Sequence, residues 1–216
     1  MPADVTSSSL ATSRVSPPPD RILAEARTLF FSGGYSAFTM DDLAAALSMS
    51  KKTLYVYFPG KDAMIRAVID GFGAEIRGDA EALLSNTSLR FAEKLRGFAQ
   101  GMVERLSKVR PAIIADLERY SPELHRYMLQ VRAKNLPYVF GRFIEEGQLC
   151  GAVRDDISPV FASEFFLHAM QGLMHSGSLE RLRIGPETCF DRAVRLFFGG
   201  LLTTSGRKEH EKLFPN

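Results

Sequence analysis

The sequence predicts an all-α protein, and three observations support that fold class. From residue 21 onward, apolar residues recur three and four positions apart, which places them on one face of a helix. Glycine, proline and capping residues divide the chain into segments of helical length. No convincing stretch alternates apolar and polar residues as a half-buried strand would. A hydrophobic fraction of 45% over 216 residues is normal for a globular core.

The N-terminal segment leads into the first predicted helix. Residues 1–19 are rich in serine, threonine and proline, cannot bury much apolar area, and are expected to form a disordered tail. Pro19 and Asp20 suit a helix start, because proline fits the first turn and an acidic side chain stabilises the N-terminal end. Gly33-Gly34 is predicted to end this helix.

Two short helices joined by a tight turn are predicted next. Thr39 can cap the first of them, with Asp42 three residues later in a capping-box arrangement. The turn contains Ser48, and Ser50 can cap the second helix. Pro59-Gly60 ends that second helix.

The remainder of the chain is predicted to be helical as well. The expected helices lie near residues 62–84, 89–107, 111–119, 122–147, 159–178 and 187–203. Pro137 lies inside the long helix 122–147 and is expected to kink it or mark a break.

Composition and motifs exclude several classes of protein. The net charge of +2 is nearly neutral, so any affinity for nucleic acid must come from a local patch. Cys150 and Cys189 are far apart and are expected to be reduced thiols. The chain lacks a run of about 18 apolar residues and a secretory signal, so a cytoplasmic protein with no membrane partner is expected. No GxSxG, P-loop, HExxH or GxGxxG motif is present, so neither an enzyme nor a cofactor is expected.

The two short helices have the spacing of a helix-turn-helix, in which the second helix lies in a DNA groove. Lys51, Thr53, Tyr55 and Tyr57 fall on or near the exposed side of that second helix, with Lys52 beside them. These side chains offer donors for base edges and phosphates and an aromatic edge for thymine methyl groups. The alternative is that the tyrosines belong to the core and the lysines merely solvate a helix.

This region resembles the N-terminal domain of the TetR family of transcriptional regulators. The resemblance covers residues 21–65 and rests on the order and spacing of about a dozen positions. They are Gly34-Tyr35, Phe38-Thr39-Met40, Asp42-Leu43-Ala44, Ser50, Thr53-Leu54-Tyr55, Tyr57-Phe58 and Lys61. Two positions depart from the family pattern: Ser48, where a glycine usually serves a left-handed turn, and the stiff Pro59-Gly60 break.

The resemblance implies roles for individual residues. Thr39, Tyr57 and Lys61 match phosphate-contacting positions, while Lys51, Thr53 and Tyr55 match positions that approach bases or backbone. The full predicted DNA-binding set is Thr39, Ser50, Lys51, Lys52, Thr53, Tyr55, Tyr57 and Lys61.

The resemblance also implies a division into domains. Residues 20–65 would form the helix-turn-helix domain, linked by helix 62–84 to a ligand-binding and dimerisation domain at 66–204, with a C-terminal tail at 205–216. A single helix-turn-helix contacts few phosphates, so a homodimer reading two half-sites of a palindromic operator is expected.

Two C-terminal segments are candidates for the dimer interface. Residues 161–176 and 190–202 are apolar around much of their circumference, so each needs more than one packing partner. Two such helices from each subunit would form a four-helix interface, and Gly172, Gly199 and Gly200 would allow close approach. The alternative is a monomeric bundle with these helices at its centre.

Aromatic and methionine side chains predict a pocket for an apolar or aromatic small molecule. The candidate lining residues are Phe98, Met102, Ile114, Leu117, Tyr120, Tyr138, Phe143, Phe165, His168 and Met174. The alternative for each of them is an ordinary place in the core.

Glu164, His168 and His175 fall at i, i+4 and i+11, on one helical stripe. Metal ligands can have this spacing, but no acid-rich or cysteine-rich motif accompanies them. We expect a polar seam at a dimer interface or a hydrogen-bonding group in a pocket, and no metal site.

The sequence thus predicts a DNA-binding regulator, a repressor released from a palindromic operator by a small apolar or aromatic effector. Its expected partners are double-stranded operator DNA, a second copy of the chain and an unidentified effector. One alternative is a ligand-independent DNA-binding protein or an activator. Another is an all-helical small-molecule-binding protein or enzyme whose helix-turn-helix is incidental.

Overall fold

The computed structural model describes residues 19–213, so the predicted tail at 1–19 lies outside the described residues except for Pro19. Within this range the chain forms eleven α-helices and no strand, which confirms the all-α prediction. The helices are α1 (Pro19–Ala37), α2 (Met40–Ala46), α3 (Lys51–Tyr57), α4 (Lys61–Ser85), α5 (Phe91–Ser107), α6 (Ala112–Tyr120), α7 (Pro122–Leu149), α8 (Pro159–Leu173), α9 (Ser176–Leu182), α10 (Pro186–Leu201) and α11 (Thr204–Leu213).

The first hydrophobic core packs the N-terminal helices together. Ile22 of α1, Leu43 of α2 and Leu54 of α3 are fully buried in it. Each fully buried side chain of this size contributes roughly 1.5–3 kcal/mol. Ile113 and Leu117 of α6 belong to the same core, so it also fixes α6 against the N-terminal helices.

The second core lies among α5, α7, α8 and α10 and is built largely from aromatic rings. The ring centroids of Phe140 and Phe166 are 4.1 Å apart, and those of Phe98 and Phe143 are 5.0 Å apart. Phe198 of α10 completes this cluster and is also fully buried. Offset and tilted ring pairs of this kind add to the stability gained from burial alone.

Helix α4 connects the two cores. Its 25 residues span about 38 Å at the rise of an α-helix. Met64, Ile65 and Val68 near its start lie in the first core, and Ala80 near its end lies in the second. A displacement along α4 would therefore reach both cores.

The helices differ from the sequence prediction at three points. The predicted helix 159–178 is two helices, because the His175 side chain accepts a hydrogen bond from the N–H of Gly177 and caps α9. The predicted C-terminal tail at 205–216 is helical through Leu213, as Thr203 caps the start of α11. Pro137 does not break α7, which continues from Pro122 to Leu149.

The structure also places Gly34 and the two cysteines. Gly34 interrupts the helical backbone of α1 with φ 82°, although helical geometry resumes as far as Ala37. Cys150 is exposed, Cys189 is buried, and both are free thiols. No helix between residues 19 and 213 is long and apolar enough to span a membrane.

Candidate nucleic-acid interface

The turn between α2 and α3 is a Schellman motif centred on Ser48. Ser48 adopts a left-handed conformation with φ 53°. Its N–H donates to the carbonyl of Ala45 at 3.0 Å, and the N–H of Met49 donates to Ala44 at 2.9 Å. These two bonds satisfy the last carbonyl groups of α2. Serine therefore occupies the left-handed position here that is most often glycine.

Hydroxyl groups cap both helices, as predicted. The Thr39 oxygen accepts a hydrogen bond from the N–H of Asp42 at 3.0 Å and donates to the Asp42 carboxylate at 2.6 Å. The Ser50 oxygen accepts from the N–H of Thr53 at 3.1 Å, and the two hydroxyls are 2.8 Å apart. Each cap is typically worth about 1 kcal/mol and fixes where its helix starts.

Burial of Leu54 determines which side of α3 faces outward. Leu54 is fully buried against the first core, whereas Lys51 and Lys52 are exposed. Tyr55 is 47% exposed and Tyr57 is 37% exposed. The two tyrosines are thus surface residues, and the alternative that they belong to the core is wrong.

Val56, which the sequence analysis did not select, is also exposed on α3. An apolar branched side chain on this surface suits contact with a thymine methyl group. The signal available in the sequence was its position two residues after Leu54, about 200° around the helix.

Lys51 takes part in a surface ion pair. Its Nζ lies 2.5 Å from Oδ2 of Asp41, and both side chains are more than half exposed. Exposed pairs of this kind contribute about 0–1 kcal/mol. A phosphate can therefore replace Asp41 as the partner at little cost.

A second basic group lies at the start of α4. Nζ of Lys61 lies 4.1 Å above the ring centroid of Tyr35, a cation–π geometry. The Tyr35 hydroxyl donates to Asp62 at 2.9 Å. Burial lowers the pKa of Lys61, and burial together with Asp62 raises the pKa of Tyr35. Gly60 precedes α4 without a side-chain cap, so the first N–H groups of this helix remain free to bind an anion.

The structure places the predicted DNA-binding residues along α3 and at the starts of α2 and α4. Thr39 caps α2, and Lys61 begins α4. The other six lie on α3 and its cap: Ser50, Lys51, Lys52, Thr53, Tyr55 and Tyr57. Thr53 and Lys61 are partly exposed and the other six are exposed.

Comparison with known proteins agrees with this geometry. Residues 22–68, which include α2, α3 and the start of α4, match the model of the bacterial regulatory proteins of the tetR family. This part of the chain is thus similar to the tetR family of bacterial regulatory proteins.

Curated relatives of this chain are transcriptional regulators. An uncharacterized HTH-type transcriptional regulator, YvaF of Bacillus subtilis, is 37% identical over 100 residues, which are 46% of this chain and 52% of YvaF. The HTH-type transcriptional repressor DhaR of Mycobacterium sp. (strain GP1) is 24% identical over 85% of this chain and 91% of DhaR. These relatives support DNA-binding regulation as the role of this chain.

A solved structure shares the fold. A TetR-family transcriptional regulator from Agrobacterium tumefaciens superposes with a TM-score of 0.63 at 22% identity. The match covers 85% of this chain and 97% of that one.

A cavity of about 180 Å³ lies where the two cores meet. Five of the predicted pocket residues line it: Phe98, Met102, Ile114, Leu117 and Met174. Phe30 and Phe31 of α1 and Ile69 and Phe72 of α4 line it as well. The cavity is therefore in direct contact with α4, which carries Lys61 at its start, and with α1, which shares the first core with α2 and α3.

The other five predicted pocket residues lie elsewhere. Tyr120 and Tyr138 are exposed, and Tyr138 donates a hydrogen bond to Glu81. Phe143 is buried in the second core without lining the cavity. Phe165 and His168 point outward from α8. Each helical residue is rotated by about 100° from the last, so spacing alone did not show that Phe166 and Met170 form the inward face.

The predicted stripe of Glu164, His168 and His175 is divided by the end of α8. His168 remains near Glu164, with Nε2 and Oε2 3.9 Å apart. His175 lies beyond the break, 3.6 Å from Glu118. Among the residues described, no three histidine, cysteine or acidic side chains are grouped to hold a metal ion.

Two polar residues of the cavity wall, Arg132 and Asn135 of α7, were not predicted from the sequence. With Met128, Val131 and Val139 they form a stripe at i, i+3, i+4, i+7 and i+11, and all five line the cavity. A polar pair inside an otherwise apolar helical stripe was the signal that could have revealed them.

Proposed function

We propose that this regulator is a dimeric repressor that a small-molecule effector releases from a palindromic operator. Its DNA contacts would come from the eight predicted residues on α2, α3 and the start of α4. Residues 20–65 would form the DNA-binding domain, and residues 66–204 would dimerise and bind the effector.

The outward faces of α8 and α10 support dimerisation. Phe161 and Phe165 of α8 are 65% and 60% exposed, and Leu196 of α10 is 80% exposed. A Cβ added at Gly199 or Gly200 would meet no atom within 4 Å, and the same holds for Gly172 of α8. An apolar surface with small residues along it suits close packing against the same surface of a second copy.

A dimer is also what DNA recognition by a small helix-turn-helix requires. Two copies of α3 would read half-sites separated by about one helical turn of DNA. Doubling the phosphate contacts also raises the affinity that one copy alone could reach.

The position of the cavity is the observation that carries the effector proposal. Its wall is shared by α1, α4 and α6 on one side and by α5, α7, α8 and α10 on the other. A ligand that enters it must therefore contact the helices that orient α3. Because α4 runs from the DNA-binding residues into the second core, a shift of α4 would change the separation of the two recognition helices.

The effector can release the protein from DNA only if it binds the DNA-free conformation more tightly than the DNA-bound conformation. A hundredfold difference between the two conformations corresponds to about 2.7 kcal/mol. Differences of this size are ordinary for allosteric proteins.

The test is effector-dependent DNA affinity. Apolar and aromatic compounds are screened by thermal shift, and each hit is titrated into the protein bound to an operator duplex obtained by selection. We expect at least one hit to weaken binding by about tenfold or more. Met102→Trp, which fills the cavity, should abolish the response, and the surface substitution Leu149→Trp should preserve it. Ligands that occupy the cavity without changing DNA affinity would contradict the proposal.

A further inference from the structure

One guanidinium group stands in the wall of an otherwise apolar cavity. Arg132 and Asn135, one helical turn apart on α7, are the polar side chains of the lining; every other lining residue is apolar. Between residues 19 and 213, neither side chain has a hydrogen-bond or ion-pair partner among the contacts of the structure. Both groups are thus available to something that enters the cavity.

The surroundings of Arg132 leave its charge uncompensated. Burial lowers the pKa of the Arg132 guanidinium, and the group that opposes this shift is the Cys189 thiol rather than a carboxylate. Burial lowers the pKa of His125, and the charge of Arg132 adds to that shift. Arg132 is only partly exposed, and a desolvated cation without a carboxylate partner is costly, so its presence needs a reason.

Asn135 is positioned to act together with Arg132. It is buried, and a Cβ at Gly73 of α4 would lie 2.3 Å from its Nδ2. The amide nitrogen therefore lies close to the backbone of α4 at Gly73. A ligand that hydrogen-bonds to Asn135 would lie directly against α4.

We propose that the effector is an amphipathic anion with an apolar body and one carboxylate, which Arg132 binds through its guanidinium and Asn135 through its amide N–H. This inference rests on the proposed function and replaces the purely apolar effector expected from the sequence. A carboxylate matches the planar fork of arginine and accepts two parallel hydrogen bonds. It would supply the negative charge that the cavity wall lacks.

The cavity volume limits the apolar body. At about 180 Å³ it is somewhat larger than a cavity of roughly 150 Å³ that holds benzene. A single aromatic ring or a short alkyl chain therefore fits, with Phe98, Phe140 and Met102 among its neighbours.

Matched pairs of small molecules test the charge requirement. Calorimetry compares 3-phenylpropionate with 3-phenylpropanamide, and octanoate with octanamide, on the wild-type protein, Arg132→Met and Arg126→Met. Arg126 is an exposed arginine on the same helix and serves as the control. We expect each carboxylate to bind at least about tenfold more tightly than its amide. The preference should disappear in Arg132→Met and persist in Arg126→Met.

Thermal unfolding separates loss of binding from loss of folding. Because the guanidinium is unpaired without ligand, Arg132→Met should leave the melting temperature of the free protein unchanged or raise it. Arg132→Lys keeps the charge but lacks the fork, and should bind the carboxylates with intermediate affinity. Equal binding of acid and amide to the wild type, no binding of any carboxylate at millimolar concentration, or an undiminished preference in Arg132→Met would overturn the inference.

Adding the operator duplex distinguishes this inference from the proposed function. A carboxylate that binds through Arg132 but leaves DNA affinity unchanged supports the anion site and contradicts the effector-released repressor. A neutral apolar compound that releases DNA equally well from the wild type and from Arg132→Met supports the effector-released repressor and contradicts the anion site.

Discussion

The carboxylate of Asp116 accepts a hydrogen bond of 2.7 Å from the backbone N–H of Ser36. This bond joins α6, whose apolar face lines the cavity, to the last turn of α1. Arg110 adds a second bond to the carbonyl of Ser32 at 2.9 Å. Together they attach the cavity wall directly to the helix that supports α2 and α3.

Gly34 is required for this attachment, so Gly34→Ala should destabilise the protein. Its φ of 82° is unfavourable for alanine, and a Cβ there would lie 2.8 Å from Oδ2 of Asp116. We expect a loss of about 1–3 kcal/mol in the free energy of unfolding, measured by urea denaturation. Gly33→Ala is the control, because its Cβ would lie 3.4 Å from Ala37, an ordinary contact. Equal stability of the two variants would contradict this prediction.

Tyr55→Ala should weaken specific DNA binding without affecting folding. Loss of a base-edge contact typically costs about 1–3 kcal/mol, which anisotropy titrations with a selected duplex would measure. Tyr120→Ala removes an equally exposed tyrosine from α6 and should leave DNA affinity unchanged. If both variants lost affinity equally, or if Tyr55→Ala unfolded at a lower temperature, Tyr55 would have a structural role instead.

Lys61→Ala should weaken binding to all DNA sequences alike. A lysine that contacts a phosphate releases counterions, so its removal lowers the slope of log K against log salt by about 1 per bound copy. Lys134→Ala, an exposed lysine on α7, provides the comparison. An unchanged slope for Lys61→Ala would show that Lys61 only packs on Tyr35.

Leu196→Glu should convert the protein to a monomer and strongly reduce operator binding. The substitution would place two like charges on an apolar face at the proposed interface, where each would lose its hydration. Leu149→Glu changes a leucine that is just as exposed at the end of α7 and should leave the dimer intact. Sedimentation velocity distinguishes the two, and a dimeric Leu196→Glu protein would exclude this interface.

His125 should make stability fall in mild acid. Burial lowers its pKa, Glu118 opposes this shift, and Arg132 and His175 add to it. The unfolded chain therefore binds the proton more readily, so the stabilisation is complete above the ordinary pKa of 6.5 and is lost as the pH falls through the folded pKa. His125→Gln should flatten the decline in unfolding free energy below that pH. His168→Gln, at an exposed histidine, is the control and should not flatten this decline. An identical decline in the wild type and both variants would show that His125 is not responsible.

Short-range chemistry explains which parts of the fold were predictable from the sequence. The caps at Thr39 and Ser50 depend on residues three positions away, so their spacing was sufficient. The outward face of α3 followed from Leu54 and its neighbours, since one buried residue fixes the rotation of a short helix.

Features that depend on tertiary packing were not predictable in the same way. The orientation of α8, which turns Phe165 and His168 outward, is set by packing against α7 and α10. The position of Arg132 in the cavity wall depends on how α7 packs against α4. The sequence shows only that Arg132 and Asn135 interrupt an apolar stripe of α7. In the sequence, residues 159–178 have the pattern of one continuous helix. The break before α9 is visible only in the extended backbone of His175.

The most direct test of the account is selection of DNA from a random duplex library, with wild type and Tyr55→Ala in parallel. We predict that the wild type enriches two inverted half-sites centred about one helical turn apart, and that Tyr55→Ala enriches them poorly. No enrichment by the wild type over the starting library, or a motif without twofold symmetry, would contradict a dimer that reads DNA through α3.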